Sequence, residues 1–139
     1  MKGDKVFVDT NILVYAYDTS AGEKHKKAVQ LMESFWNSGN GIISSQVVQE
    51  FFVNVTRKMS KPLDVLTAKE IVKDLLKWNT IIVNGEIILE AIEIQRKHKY
   101  SFWDAVIIES AVRGGVVLLL SEDLTDGQII KGVKIKNPL

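Results

Sequence analysis

Short, unbroken apolar runs recur along this chain, and longer stretches with helical periodicity lie between them. Val6-Phe7-Val8, Ile42-Ile43 and Val116-Val117-Leu118-Leu119-Leu120 contain no polar residue. A strand with one face in water alternates polar and apolar side chains, so a run that is apolar throughout is buried on both faces. Such burial requires helices above and below the sheet, and the intervening segments supply them. The expected class is therefore α/β, with a central parallel sheet in a three-layer α/β/α arrangement.

In chain order, residues 5–9 read as the first strand, and Thr10 or Asn11 as the cap of a short helix reaching about Tyr17. A loop follows at 18–22. A helix over 23–36 carries Ala28, Val29, Leu31, Met32, Phe35 and Trp36 at helical spacing, and Gly39 suits a left-handed cap. After the strand at 42–43, Ser44 or Ser45 caps a helix running to about Lys58. Pro62 breaks the chain, and Thr67 opens the next helix with Glu70 as a capping-box partner. Residues 80–83 form a third strand. A helix over 86–98 presents Ile87, Ile88, Ala91, Ile92 and Gln95 on one side, and another spans about 102–112. The apolar strand 116–120, the acidic loop 121–127 and a last strand near Val133-Lys134-Ile135 complete the pattern. No repeat or linker interrupts it, so residues 1–139 are expected to form one domain.

Composition removes several kinds of chemistry. The chain has no cysteine, which excludes disulfides, zinc–thiolate sites and thiol nucleophiles, and suits the reducing cytoplasm. Residues 1–5 lead into no long apolar stretch, so neither a signal segment nor a membrane span is expected. Net charge is +1, which by itself neither favours nor disfavours a polyanionic partner. His25 and His98 are each surrounded by lysines and read as solvated helix residues.

Four carboxylates then stand out by position. Asp9 follows the first strand directly, where open α/β sheets hold ligands; it is equally well placed to cap the next helix. Glu50 points away from the apolar stripe of its helix, beside Gln46, Asn54 and Arg57. A solvated helix face explains that, yet Glu50 lies within two turns of the helix start and so near the rim that carries Asp9. Asp104 forms a Ser-x-x-Asp capping box with Ser101, and a carboxylate in a first helical turn can also face a cleft. Asp123 follows the apolar strand 116–120, beside Glu122 and Asp126. A surface acidic turn is the plain reading. If that strand lies next to the first one, however, Asp123 sits at the switch point close to Asp9. Carboxylates crowded on one rim repel or take up protons, and a divalent cation resolves that conflict. An all-oxygen set suits Mg²⁺ or Mn²⁺.

These residues, in this order and spacing, carry a family resemblance: Val8-Asp9-Thr10-Asn11, then Ser45 with Glu50 five residues on, then Phe102-Trp103-Asp104-Ala105, then Leu120-Ser121-Glu122-Asp123-Leu124. The chain resembles the PIN-domain nucleases, in particular the small VapC-like toxin ribonucleases of toxin–antitoxin pairs. The resemblance implies a PIN-like sheet in the order 3-2-1-4-5. It implies an acidic site of Asp9, Glu50, Asp104 and Asp123, with Asn11, Ser121 and Asp126 as accessory residues and Mg²⁺ or Mn²⁺ as the cofactor. It further implies metal-dependent cleavage of RNA, an antitoxin partner and frequent homodimers.

An acidic site must still hold an acidic polymer. Lys24, Lys26 and Lys27, then Arg57, Lys58 and Lys61, then Arg96, Lys97 and Lys99 are candidate phosphate contacts, each also readable as a solvated helix end. Tyr15, Tyr17, Trp36 and Trp78 are available for base stacking or an interface, with core packing as the plain reading. Two other functions compete. A haloacid-dehalogenase-like phosphotransferase also starts from an Asp after strand 1, but it requires a second Asp two residues on, where this chain has Asn11. A catalytically silent PIN-like RNA-binding or scaffold domain would not need the full acidic set.

Overall fold

The computed structural model describes residues 4–139; Met1–Gly3 lie outside the described residues, so the reading of the first five residues is only partly addressed. β1 (Val6–Val8) runs at the centre of a six-stranded sheet. It pairs in parallel with β2 (Gly41–Ser44) on one side and β4 (Leu118–Leu120) on the other. β3 (Asn79–Ile81) extends the sheet beyond β2, and β6 (Val133–Lys136) extends it beyond β4, both in parallel. The apolar runs behave as their composition requires: Phe7, Val8, Ile43 and Leu119 are fully buried.

One strand was not anticipated. β5 (Ile129–Ile130) pairs antiparallel with β6 at the sheet edge, giving the order β3-β2-β1-β4-β6-β5. The five expected strands keep the order 3-2-1-4-5, and the two-residue strand is added outside the last of them. It exists because Lys131 and Gly132 both adopt positive φ, 48° and 83°, the backbone that a two-residue hairpin turn demands. Glu109 anchors this hairpin from below. It is buried in the helix over 102–113 and accepts from Lys131 Nζ at 2.7 Å and Arg113 Nε at 2.8 Å.

Helices cover both faces. α1 (Thr10–Tyr15) packs on α2 (Glu23–Ser38) and α3 (Ser45–Val53), and α3 packs on α4 (Val65–Leu75). α5 (Gly85–His98) and α6 (Phe102–Arg113) pack against each other. With right-handed crossovers, the steps β1 to β2 to β3 put α1–α4 on one face, and the return from β3 to β4 puts α5 and α6 on the other.

The helix starts settle the capping alternatives that the sequence left open at Asp9 and Ser44, and one start differs from expectation because an earlier side chain caps first. Asp9, rather than Thr10 or Asn11, caps α1, and its side chain accepts from the Thr10 N–H. Ser44 caps α3 by accepting from Val47 N–H at 3.2 Å. Asp64 caps α4, accepting from Thr67 N–H at 2.8 Å, so Thr67 lies inside the helix rather than opening it. Beyond Val53, α3 continues as a π-helical turn (Asn54–Lys58). On α5 the buried stripe is Ile87, Ala91 and Ile94, while Ile88 and Ile92 are exposed. Isoleucines at 87, 88, 92 and 94 offer two overlapping stripes, and only packing against α6 decides between them. Among the described residues no helix is long and apolar enough to cross a membrane.

The central position of β4 makes a clear expectation. Leu119→Ala, at a fully buried site, should destabilise the protein by about 3–5 kcal/mol in urea unfolding, the range for a leucine deletion in a close-packed core.

Candidate active site

Parallel pairing of β1 with β4 sets Val8 beside Leu120. The ladder runs one residue further, with Asp9 N–H donating to the Leu120 carbonyl at 3.0 Å. Both chains then leave the sheet at the same level, Asp9 into α1 and Ser121 into the acidic loop. There the two segments are laced together by side chains. Ser121 Oγ, fully buried, donates to Asp9 Oδ2 at 2.8 Å and accepts from the Asp123 N–H at 3.1 Å. Asn11 Nδ2 donates to Asp123 Oδ2 at 3.0 Å and lies 3.4 Å from Asp9 Oδ2, while its Oδ1 accepts from the Glu122 N–H at 3.1 Å. The amide is suited to this place because it donates to two carboxylates at once; an aspartate there would add another negative charge instead.

Glu50 and Asp104 complete the walls. Glu50, on α3, accepts from Thr10 Oγ1 at 2.7 Å through Oε1 and from Gln46 Nε2 at 3.1 Å through Oε2. Asp104 sits in the first turn of α6, whose N-terminus is capped by Ser101 Oγ accepting from the Asp104 N–H at 3.1 Å. The capping-box position and the cleft position are thus compatible. Asp9, Glu50, Asp104 and Asp123 all line one cleft of about 430 Å³, together with Thr10, Asn11, Val14, Tyr15, Asn54, Ile107 and Glu122. None of these lining residues is Lys, Arg or His.

The electrostatics follow from that composition. Burial pushes the Asp9 carboxyl up to about 7, against the lowering effect of its bonds from Ser121 and Thr10; the charges of Glu50 and Asp123 push it further up. Partial burial likewise raises Asp104, reinforced by Asp123 and Glu50. Glu122 differs. Its burial acts to raise it, but hydrogen bonds from Lys24 and Tyr15 and the Lys24 charge overcome that and hold it below the usual range. Lys24 Nζ lies 2.5 Å from Glu122, and Tyr15 donates to the other oxygen at 2.6 Å. Glu122 is therefore neutralised locally, whereas among the described residues the other four carboxylates have no cation of their own.

This donor set fits a hard divalent cation. It offers oxygens alone, it is partly desolvated, and the charges of Glu50 and Asp123 raise the affinity of Asp9 and Asp104 for protons, a conflict that a bound cation removes. Among the described residues no three acidic or histidine side chains stand close enough together to hold a metal ion as they are placed, so the fit is one of donor chemistry and charge.

Other candidates lie elsewhere. Asp126 is outside the cleft, and its Oδ1 accepts from the Asn137 N–H at 2.8 Å, closing the turn before the C-terminus. Of the basic residues, Lys24 reaches the cleft rim through Glu122. Lys26 pairs with Glu23, Lys27 reaches the Leu139 carbonyl, and Arg96 pairs with Glu93. Arg57, Lys58 and Lys61 make no salt bridge among the described residues and follow Asn54, which lines the cleft. Tyr15 lines the cleft, whereas Tyr17 packs edge-on to Phe51, and Trp36 and Trp78 pack on each other. His25 Nδ1 is bonded to the Tyr15 carbonyl, and His98 is exposed.

Sequence reasoning missed the residues that fix Glu50. Thr10 carried a signal in standing directly after Asp9, and Gln46 in lying four residues before Glu50 on one helix face.

An acidic cleft at the switch point of a parallel α/β sheet defines the class of site. The chain belongs to the PIN-domain family, whose model matches residues 6–125. No curated protein sequence matches it. Among solved structures, the fold is similar to that in a toxin–antitoxin complex from Klebsiella pneumoniae. There the TM-score is 0.72 at 20% identity, over 97% of this chain and 98% of that one. It is similar to Mycobacterium tuberculosis VapC20, a Sarcin-Ricin loop cleaving toxin, with TM-score 0.62 and 18% identity over 83% and 87% of the two chains. It is also similar to VapBC2 from Rickettsia felis, bound to a DNA fragment from its promoter, with TM-score 0.65 and 17% identity over 95% and 97%. At these identities the likeness is one of fold.

The raised Asp9 pKa implies a pH-dependent stability. In the unfolded chain Asp9 ionises near its ordinary 3.8, but in the folded, metal-free protein it holds its proton up to about 7. Its favourable contribution is therefore full below pH 3.8 and is lost as pH rises through about 7. The upper bound is about 4 kcal/mol, from three pKa units at about 1.4 kcal/mol each. Metal-free protein should lose stability between pH 5 and 7.5 more steeply than Asp9→Asn, as read by urea unfolding across that range. Parallel profiles for the two proteins would contradict the burial of that charge.

Proposed function

We propose that this chain is a Mg²⁺- or Mn²⁺-dependent endoribonuclease, and the toxin of a toxin–antitoxin pair. The observation that carries the reading is the convergence of Asp9, Glu50, Asp104 and Asp123 on one cleft that contains no basic side chain. Membership of the PIN-domain family supports it, as does the likeness of fold to proteins named as a toxin–antitoxin complex and an RNA-loop-cleaving toxin. On this reading residues 1–139 act as one cytoplasmic domain, paired as a homodimer and held in check by an antitoxin protein. Against a haloacid-dehalogenase-like phosphotransferase stands Asn11, an amide bonded to both Asp9 and Asp123 where that chemistry requires a second acid.

Asp9, Asp104 and Asp123 would hold the ion, with Glu50 as a further ligand or as the group beside its water. When bound, it supplies charge neutralisation and Lewis-acid polarisation of the scissile phosphate. Ser121 and Asn11 hold the Asp9 and Asp123 carboxylates beside each other at the cleft. Glu50, held through both oxygens by Thr10 and Gln46, orients the attacking water and accepts its proton. Lys24, Arg57, Lys58 and Lys61 contact flanking phosphates, and the side chain of Tyr15 borders the path of the strand. Asp126, outside the cleft, would act only through the turn it closes with Asn137.

The test is cleavage of a pool of cellular RNAs by the purified chain with Mg²⁺ or Mn²⁺, with chelator, and by Asp9→Asn. Cleavage should occur only in the first sample, with Asp9→Asn reduced at least about a hundredfold by loss of a ligand. Equal cleavage in all three would sink the metal mechanism, and no cleavage of any RNA would favour a silent RNA-binding domain. In cells, expression should arrest growth, and Asp104→Asn should relieve the arrest; equal growth with both versions would remove the toxin role.

Cation binding should also be coupled to protons. Because metal-free Asp9 carries a proton below about 7, affinity for Mn²⁺ should rise with pH up to that value and then flatten. Calorimetry in buffers of different ionisation enthalpy would read the proton released. A pH-independent affinity between 6 and 8 would contradict the assignment of Asp9 as a ligand.

A further inference from the structure

Gln46 occupies the first turn of α3 and is only 8% exposed. Its Nε2 donates to two acceptors, Glu50 Oε2 and the Trp103 carbonyl, each at 3.1 Å. These acceptors belong to different walls of the cleft. Glu50 stands on α3, and Trp103 directly precedes Asp104 on α6. The other end of the amide, Oε1, is buried without a hydrogen-bond partner among the described residues. The orientation of the group is nevertheless unambiguous: a flipped amide would press its oxygen against a carboxylate and a carbonyl.

A buried, unpartnered acceptor is unfavourable, and an apolar side chain of the same length would fill the space without it. The sequence keeps an amide here, and what that amide does is donate twice. Thr10 holds Glu50 through Oε1 at 2.7 Å, but one donor leaves a carboxylate free to swing about that oxygen. The second donor fixes its plane. Because Gln46 also grips the backbone before Asp104, it ties the position of Glu50 to that of the Asp104 helix.

We infer that Gln46 is a positioning residue for the cation and water site: it holds Glu50 in a fixed plane and sets its separation from Asp104. The inference rests on the metal-nuclease reading of the cleft. It goes beyond the acidic set itself, since Gln46 is absent from the residues lining the cleft and acts only through Glu50 and the Asp104 helix.

The experiment compares the full chain with Gln46→Met and Gln46→Glu. Mn²⁺ affinity is measured by calorimetry, RNA cleavage by single-turnover kinetics, and thermal unfolding in the absence of metal. Gln46→Met should melt within about 3 °C of the unsubstituted protein. It should bind Mn²⁺ several-fold more weakly and cleave about tenfold more slowly, the scale of losing a residue that orients a ligand. Gln46→Glu, which sets a second carboxyl against Glu50 and can donate at most once, should be at least as impaired. In a Glu50→Gln background, the effect of Gln46→Met on Mn²⁺ affinity should shrink at least about twofold, because one of the two partners through which it acts is already altered.

Unchanged affinity and rate in both variants would overturn the inference while leaving the nuclease reading intact. A loss of affinity that merely follows a loss of melting temperature, or one of full size in the Glu50→Gln background, would reduce Gln46 to a packing role and overturn it as well. Failure of the unsubstituted protein to bind Mn²⁺ or to cleave RNA with it would remove both the reading and the inference.

Discussion

The parallel pairing of β1 with β4 is the constraint on which the cleft depends. These strands are far apart in sequence, and the entire β2–β3 half of the sheet is built between them. Their register sets Val8 beside Leu120, and the bond from Asp9 N–H to the Leu120 carbonyl carries that register past the strand ends. Asp9 and Ser121 therefore emerge side by side, and Asn11 can reach Asp123. A one-residue slip would turn Phe7 and Leu119 towards the opposite helical layer, mismatching the packing, and separate Asp9 from Ser121 at the same time. Core packing and the geometry of the cleft are in this sense one interaction.

Holding carboxylates together in this way works against their charge. Asp9 is buried, yet receives only hydroxyl, amide and backbone donors, none of them cationic. Such donors orient a carboxylate without neutralising it, which explains why its pKa stays high despite two strong hydrogen bonds. Glu122 shows the contrast within the same loop, since Lys24 compensates it and its pKa falls. The buried Glu109 is likewise matched by Arg113 and Lys131. The chain thus has the means to neutralise a buried acid and applies them away from the four cleft carboxylates. That selectivity is the physical basis for proposing a cation there.

The architecture was largely legible because its signals are local. Runs apolar on both faces identify a parallel sheet, and the reversal that brings strand 4 beside strand 1 brings Asp123 towards Asp9. The start of α6 was legible because Ser101, its cap, precedes Asp104 at the required spacing. What escaped was contextual. Thr67 and Glu70 formed a plausible helix start, but Asp64 stands three residues earlier and captures the Thr67 N–H first. The buried stripe of α5 depended on where α6 lay. β5 is two residues long and is stabilised by its turn and by Glu109 at a distance, neither visible as a periodic pattern. The bonds from Thr10 and Gln46 to Glu50 cross between elements or use a polar face that reads equally well as solvated. Asp126, grouped by its acidity with Asp123, is turned instead towards Asn137.

The central claim, that the buried Asp9 carboxylate organises a divalent-cation site, is tested most directly by anomalous diffraction from crystals soaked in Mn²⁺ near pH 8. The account predicts an anomalous peak in the cleft within ligand distance of Asp9 and of at least one of Asp104 and Asp123, and no such peak in Asp9→Asn crystals treated alike. A cleft without a peak, or one that keeps its peak in Asp9→Asn, would contradict it.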